Sequence, residues 1–317
     1  MTSDQIHIIE VGPRDGLQNV KEQLTTEQKI AFIQGLLDVG FTDIEAGSFV
    51  RADKIPAMQG SDLVATHFES YADKLWYLAP NLKGLQSALA TNARQIAFFT
   101  ATSETFNTKN IGLSVSKSLD TIKESLSFLR NEGFEFINDW AVRPTSSKQL
   151  KLRLYVSTVI GCPYEGDQKP EASINIIDEL MPLGFAQVSL GDTIGVGSPK
   201  LWQTLLKLID PKYLSKNAVA MHCHDTYATA LSCISQGLSM GIRSFDSSLG
   251  GLGGCPYAKG ATGNLATEDL LFFLDREGFK NIPNLEAVVA LFEPSRIGTL
   301  TNNSRVFQAM KAKQKKR

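Results

Sequence analysis

The sequence predicts an α/β protein: a (β/α)8 TIM barrel with an additional C-terminal helical segment. Three observations support this. Short apolar, β-branched runs alternate with helical patterns, which means βαβ units and a parallel sheet. Eight such units fit into about 280 of the 317 residues, the size of one α/β barrel with extras. No proline- or serine-rich linker divides them, so residues 1–317 read as one domain, with the barrel over about 6–280 and a helical extension over about 284–312. A doubly wound open sheet also fits the alternation, but eight units fit closure better.

The elements follow in order. The first apolar run is Ile6 to Val11. A helix near Thr25 to Val39 has Thr25 as its cap, Gln28 three residues on and Gly40 as its stop. Thr42 to Ala46 leads into a short helical stretch. Lys74 to Ala79 precedes a helix over Asn81 to Ala90, and Arg94 to Thr100 precedes one over Val115 to Asn131. Lys151 to Thr158 is followed by a helix over about Glu171 to Pro182. Ala186 to Leu190 comes before a helix opened by Ser198 and Pro199, a cap with proline in the first turn. Ala218 to His224 leads to Tyr227 to Met240, and Arg243 to Leu249 to a helix starting near Thr267. A further helical segment, Leu285 to Lys311, ends in a basic tail. Asp139 to Lys148 is an extra loop between a helix and the next strand, on the barrel face that carries stability rather than chemistry.

Composition narrows the function. Lys and Arg (32) balance Asp and Glu (33), giving a net charge of −1 and no electrostatic footprint for nucleic acid. Apolar residues make up 43%, enough for a large core. The four cysteines, Cys162, Cys223, Cys233 and Cys255, form no CxxC pair and indicate a reducing compartment. The N-terminus has neither the basic start and apolar stretch of a signal peptide nor the Arg-rich character of a transit peptide. No run approaches the roughly 18 apolar residues that span a bilayer. The expectation is a cytoplasmic protein with no membrane or nucleic-acid partner.

Polar residues gather where strands end: Arg14 and Asp15, Glu45, Asp192, and His222 with His224. Barrel active sites lie on that C-terminal face. Alternate residues of a strand point the same way, so His222 and His224 turn two imidazoles together into the mouth. Cys223 points away, as a small buried residue. Asp15, in a Gly-Pro-Arg-Asp-Gly turn, is the candidate third ligand, although Asp is also common in turns. Imidazoles with carboxylate and amide oxygens suit Mg²⁺ or Mn²⁺ better than a closed zinc site. The glycine-rich segment 250–260 forms a loop able to move or to approach a ligand closely, and Cys255 within it could deliver a proton. Asn264 beyond it could offer an amide oxygen to a metal. The turn Gly191 to Gly197 is either a plain helix entry or part of the site. There is no Gly-x-Ser-x-Gly elbow and no Rossmann fingerprint in a suitable context.

These segments resemble the 3-hydroxy-3-methylglutaryl-CoA lyase family, within the metal-dependent barrel lyases and Claisen-type synthases. The matching stretches are Glu10 to Asn19, Gly161 to Gly166, Ser189 to Gly197, His222 to Tyr227 and Gly250 to Asp269, which span about residues 6 to 275. The first and fourth are shared across the superfamily. The cysteine-bearing glycine loop belongs to the lyase branch, where similar synthases carry a Glu-Arg pair. The loop Asp139 to Lys148 departs from the family.

The resemblance implies that Asp15, His222, His224 and Asn264 bind Mg²⁺ or Mn²⁺. It implies catalytic or supporting roles for Arg14, Glu45, Asp192, Cys255 and Glu268, an acyl-CoA substrate and a homodimer. Arg14, Gln18 and Lys21 are the candidate substrate contacts. The implied reaction is retro-Claisen cleavage of a β-hydroxy thioester to acetyl-CoA and acetoacetate. A bound metal would act as Lewis acid and template. Asp15 or a histidine would take the hydroxyl proton, Arg14 would stabilise the thioester oxygen, and Cys255 would protonate the enolate. Glu45, Asp192 and Glu268 would orient these groups. Competing readings are a lyase for a related hydroxyacyl-CoA, a condensing synthase on the same scaffold, and a non-catalytic barrel that binds a partner.

Overall fold

The computed structural model describes residues 5–254, 263–292, 300 and 304–314. Eight parallel strands close on themselves: β1 (His7–Glu10), β2 (Ile44–Ser48), β3 (Leu75–Leu78), β4 (Gln95–Ala101), β5 (Gln149–Ser157), β6 (Gln187–Asp192), β7 (Val219–Cys223) and β8 (Ser244–Ser247). Strands adjacent in this series pair in the sheet, and β8 pairs with β1, His7 opposite Ser244. The expected TIM barrel is therefore present. Among the described residues no helix is long and apolar enough to cross a membrane.

Local chemistry sets the helix ends. In Thr26–Asp38, the Thr25 side chain accepts from the Gln28 amide and the Gln28 side chain from the Thr25 amide, a complete capping box. Gly40 then takes φ +98°, a conformation open to glycine. Ser198 caps Pro199–Leu206 through the Leu201 amide. Between β4 and β5 the helix Glu104–Ile111 precedes Val115–Asn131.

Two expectations need correction. Tyr227 to Met240 is helical only over Ala230–Ser239, because Asp225 accepts from the Ala230 amide and Ala228 has φ +58°. Leu285 to Lys311 is not one helix: the described residues form Leu285–Ala290 and Arg305–Gln314. Asp269 seats the second, accepting from the Ser304 hydroxyl and the amides of Arg305 and Val306.

The insertion lies at the N-terminal mouth, as expected. Residues 135–137 add a short strand beside β5, and the loop then turns across the barrel bottom. Trp140 is buried and stacks on Trp76 at 5.5 Å. Lys151 Nζ donates to the Trp140 carbonyl oxygen. Arg143 pairs with Asp43 and donates to the Asp73 carbonyl oxygen. Asp43 and Asp73 precede β2 and β3, so the loop plugs the end opposite the strand-end cluster.

Candidate active site

β1 delivers its residues through a π-helical turn, Gly12–Gly16. The turn is held by Glu10, buried at the end of β1. One Glu10 oxygen accepts from the Gly12 amide at 2.8 Å and the Leu249 amide at 2.9 Å, and the other from the Thr267 hydroxyl at 2.5 Å. A Cβ at Gly12 would stand 2.5 Å from Glu10 Oε1, so glycine is required for this close approach. Burial pushes the Glu10 carboxyl up to about 8.

The strand-end residues converge. Asp15, His222 and His224 each offer a ligand atom within 4.8 Å of the others. Burial disfavours the Asp15 carboxylate. Arg14, then His222 and His224, outweigh that and pull its pKa down to about 2. His224 falls to about 4 through burial and the neighbouring His222. Burial also disfavours protonated His222, but its contact with Asp246 reverses the direction. Asn264 Nδ2 donates to Asp15 Oδ2 at 2.8 Å, and a bridge pairs Asn264 with His224, so the amide borders the trio.

This donor set fits a hard divalent cation, which prefers oxygen ligands with some imidazole. A buried polar atom points the same way: His224 Nδ1 has no hydrogen-bond partner among the described residues. Asp15, with a side chain 24% exposed, leaves the trio open to an incoming ligand.

Arg14 donates to Asp15 Oδ1 at 2.8 Å and pairs with Glu45 Oε2 at 2.7 Å. Its guanidinium also lies over the Tyr155 ring, 5.3 Å from the centroid. Burial raises the Glu45 pKa, against the pull of Arg14. Asp192 accepts from the amides of Val196 and Gly197 at 3.1 and 2.8 Å and so holds the turn after β6, with burial raising it to about 6. Glu268, raised to about 7 by burial, accepts from the Gly250 amide at 3.1 Å and anchors the start of the glycine loop. These two carboxylates support loops. Gln18, half-buried, and Lys21, exposed, follow the π-helical turn. Cys255 lies outside the described residues. Asn19 Nδ2 donates to the carbonyl oxygen of Gly254 just before it, at 2.9 Å. Cys223 is buried with Cys233 in the outer core, as expected.

A family profile described as HMGL-like matches residues 5–293. The chain belongs to the HMGL-like family. The chain is a carbon–carbon lyase, and the HMGL-like family is metal-dependent. The chain is 40% identical to the cytoplasmic 3-hydroxy-3-methylglutaryl-CoA lyase of Rattus norvegicus, over 96% of this chain and 85% of the rat protein. It superimposes on the hydroxymethylglutaryl-CoA lyase of Pseudomonas aeruginosa with a TM-score of 0.84 and 37% identity, covering 98% of both chains. An Acinetobacter baumannii HMG-CoA lyase solved with coenzyme A and 3-methylmalate gives 0.84 and 30%, covering 98% of this chain and 96% of that one.

Sequence reasoning gave no role to Glu10, Arg153, Tyr155 or Asp246. On β5 the signal was visible: Lys151, Arg153 and Tyr155 alternate with leucines, placing polar groups inside the barrel.

Proposed function

We propose that this HMGL-like protein cleaves (S)-3-hydroxy-3-methylglutaryl-CoA to acetyl-CoA and acetoacetate in a metal-dependent retro-Claisen reaction. The observation that carries the reading is the convergence of Asp15, His222 and His224 beside the Arg14–Glu45 pair at one barrel mouth. The names of relatives at up to 41% identity agree with it.

In this reading Asp15, His222, His224 and Asn264 hold Mg²⁺ or Mn²⁺, which when bound supplies a Lewis acid and a template for the substrate's oxygens. The tertiary hydroxyl gives its proton to Asp15 or a histidine, and its oxygen becomes the ketone of acetoacetate. The bond from that carbon to the thioester α-carbon breaks, and its electron pair passes into the thioester enolate. Arg14, fixed by Glu45, donates to the thioester oxygen as charge grows there. The Cys255 thiol protonates the enolate carbon to give acetyl-CoA and is reprotonated from solvent. Asp192 and Glu268 hold the two loops that frame the reaction. Gln18 and Lys21 contact the CoA ester. The chain works as one catalytic domain, in the cytoplasm, as a homodimer, an assembly that sedimentation velocity tests.

The test is acetoacetate release from 3-hydroxy-3-methylglutaryl-CoA with Mg²⁺ or Mn²⁺, on wild type and Cys255→Ala. Metal-dependent turnover that falls by orders of magnitude in the variant is expected, each tenfold being about 1.4 kcal/mol of barrier. An active variant removes Cys255 from the chemistry. An inactive wild type overturns the substrate, and a panel of hydroxyacyl-CoA thioesters then finds the right one.

A further inference from the structure

Beneath the Asp15–His222–His224 trio lies a polar core that the mechanism above does not use. Its centre is Asp246 on β8, 2% exposed. One Asp246 oxygen accepts from Arg153 Nη2 at 2.5 Å. The other accepts from the Ser189 hydroxyl at 2.7 Å and stands 3.2 Å from His222 Nδ1. Arg153 is held in turn: Nε donates to Gln187 at 2.9 Å and Nη1 to the Tyr155 hydroxyl at 2.6 Å. Strands β5, β6, β7 and β8 all contribute, and all these side chains are buried.

A carboxylate held by a guanidinium and a hydroxyl is ionised, and an ionised carboxylate only accepts. The hydrogen it shares with His222 therefore sits on Nδ1. That leaves Nε2 as a bare lone pair for the trio. The tautomer of a histidine is set by the hydrogen bond its other nitrogen makes. At His224 it is Nδ1 that has no hydrogen-bond partner among the described residues and is open to an ion.

We infer that Asp246 is the positioning residue of the metal centre, fixing His222 in the Nδ1–H tautomer and aiming Nε2 at the shared ion. The inference depends on the metal-centre reading above. His222 is thus a pre-set ligand, locked by a carboxylate whose charge Arg153 balances. Such outer partners orient a ligating imidazole and strengthen its donor nitrogen.

Asp246→Asn in the full-length protein tests this through two readouts besides turnover. Mn²⁺ affinity by titration calorimetry should fall about 10- to 100-fold. Nitrogen–proton correlation spectra of the imidazoles, recorded without metal, should lose the Nδ1–H signature of His222. Breaking a buried ion pair also destabilises, so Asp43→Asn serves as control. It breaks a buried pair at the opposite end of the barrel and should leave both readouts unchanged. If the single variant does not fold, Arg153→Met with Asp246→Asn leaves no unpaired buried charge and should show the same losses. A folded Asp246 variant with wild-type Mn²⁺ affinity and an unchanged His222 tautomer overturns the inference. A wild type that binds no Mn²⁺ sinks the metal-centre reading instead, and the tautomer spectra still report whether Asp246 holds the ring.

Discussion

Replacing Arg143 with methionine strips a buried carboxylate of its cation. Asp43 is 1% exposed and receives Arg143 Nη1 at 2.7 Å and Nη2 at 2.6 Å. In the variant it keeps only the Trp76 indole at 2.9 Å and the Thr42 hydroxyl at 3.2 Å. Removing one partner of a buried pair costs about 3–5 kcal/mol. The Arg143 side chain is 28% exposed, so water reaches the site and the lower end, about 3 kcal/mol, applies. For a chain of this length that is a fall in Tm of about 5 °C. The pH dependence carries a sign. Burial raises the Asp43 pKa, but the Arg143 pair outweighs burial and holds it below the ordinary value. Wild type therefore draws stability from this group above the unfolded carboxyl pKa of about 3.9 and loses it as pH falls through the lower folded value. In Arg143→Met burial acts unopposed and the carboxyl protonates more readily. The gap in Tm should narrow as pH falls from about 6 toward 4. Scanning calorimetry at neutral and mildly acid pH measures it, alongside kcat/KM for acetoacetate release. An unchanged Tm refutes the energetics, and a fall in kcat/KM refutes the separation of plug from site.

Other perturbations address the site itself. Asp15→Asn removes the anionic ligand and should weaken Mn²⁺ binding by more than about tenfold, or 1.4 kcal/mol, by calorimetry. Glu45→Gln loosens Arg14 and should lower kcat by about 100-fold with a smaller change in KM; an effect on KM alone would make Arg14 a binding group. Burial raises the Glu268 pKa to about 7, so ionising it costs the folded state stability as pH climbs from about 4.3 to that value. Glu268→Gln should flatten that decline in a series of melts across the range, and a parallel decline in the variant would count against Glu268 as its source. Chelation with EDTA should abolish turnover and added Mg²⁺ or Mn²⁺ restore it, in a coupled acetoacetate assay.

Much of the fold was legible because local rules agreed with the global one. Thr25 with Gln28, Ser198 with Pro199, and the glycine at position 40 mark helix ends through their own hydrogen bonds and dihedral angles. Helix Glu104–Ile111 was not, since its sequence is largely polar and shows little apolar periodicity. Periodicity alone ran Leu285 into Lys311 as one helix, although Pro294 and Gly298 stand between the two described pieces. At the site, His222 and His224 were readable because a strand's period of two puts both on one face. Asp15 joined them through its turn. Asp246 was hidden for a different reason. A lone acid inside a strand is conspicuous, but its partners Arg153, Ser189 and His222 come from three other strands, and no spacing along the chain encodes that meeting.

Asn264 hydrogen-bonds to Asp15 across 249 residues of chain, and Glu10 reaches Thr267 across 257. The trio thus straddles the seam where the first strand meets the last. On the ribosome Asp15 is made early and waits for almost all of the remaining chain before its neighbours emerge. No nascent fragment that stops short of Asn264 can own the whole site, and a product truncated before His222 is inert rather than partly active. Any ion held there binds only the closed ring, so it does nothing for the first steps of folding and then acts as a latch on the finished barrel. Occupancy of the site becomes a readout that synthesis has passed Asn264.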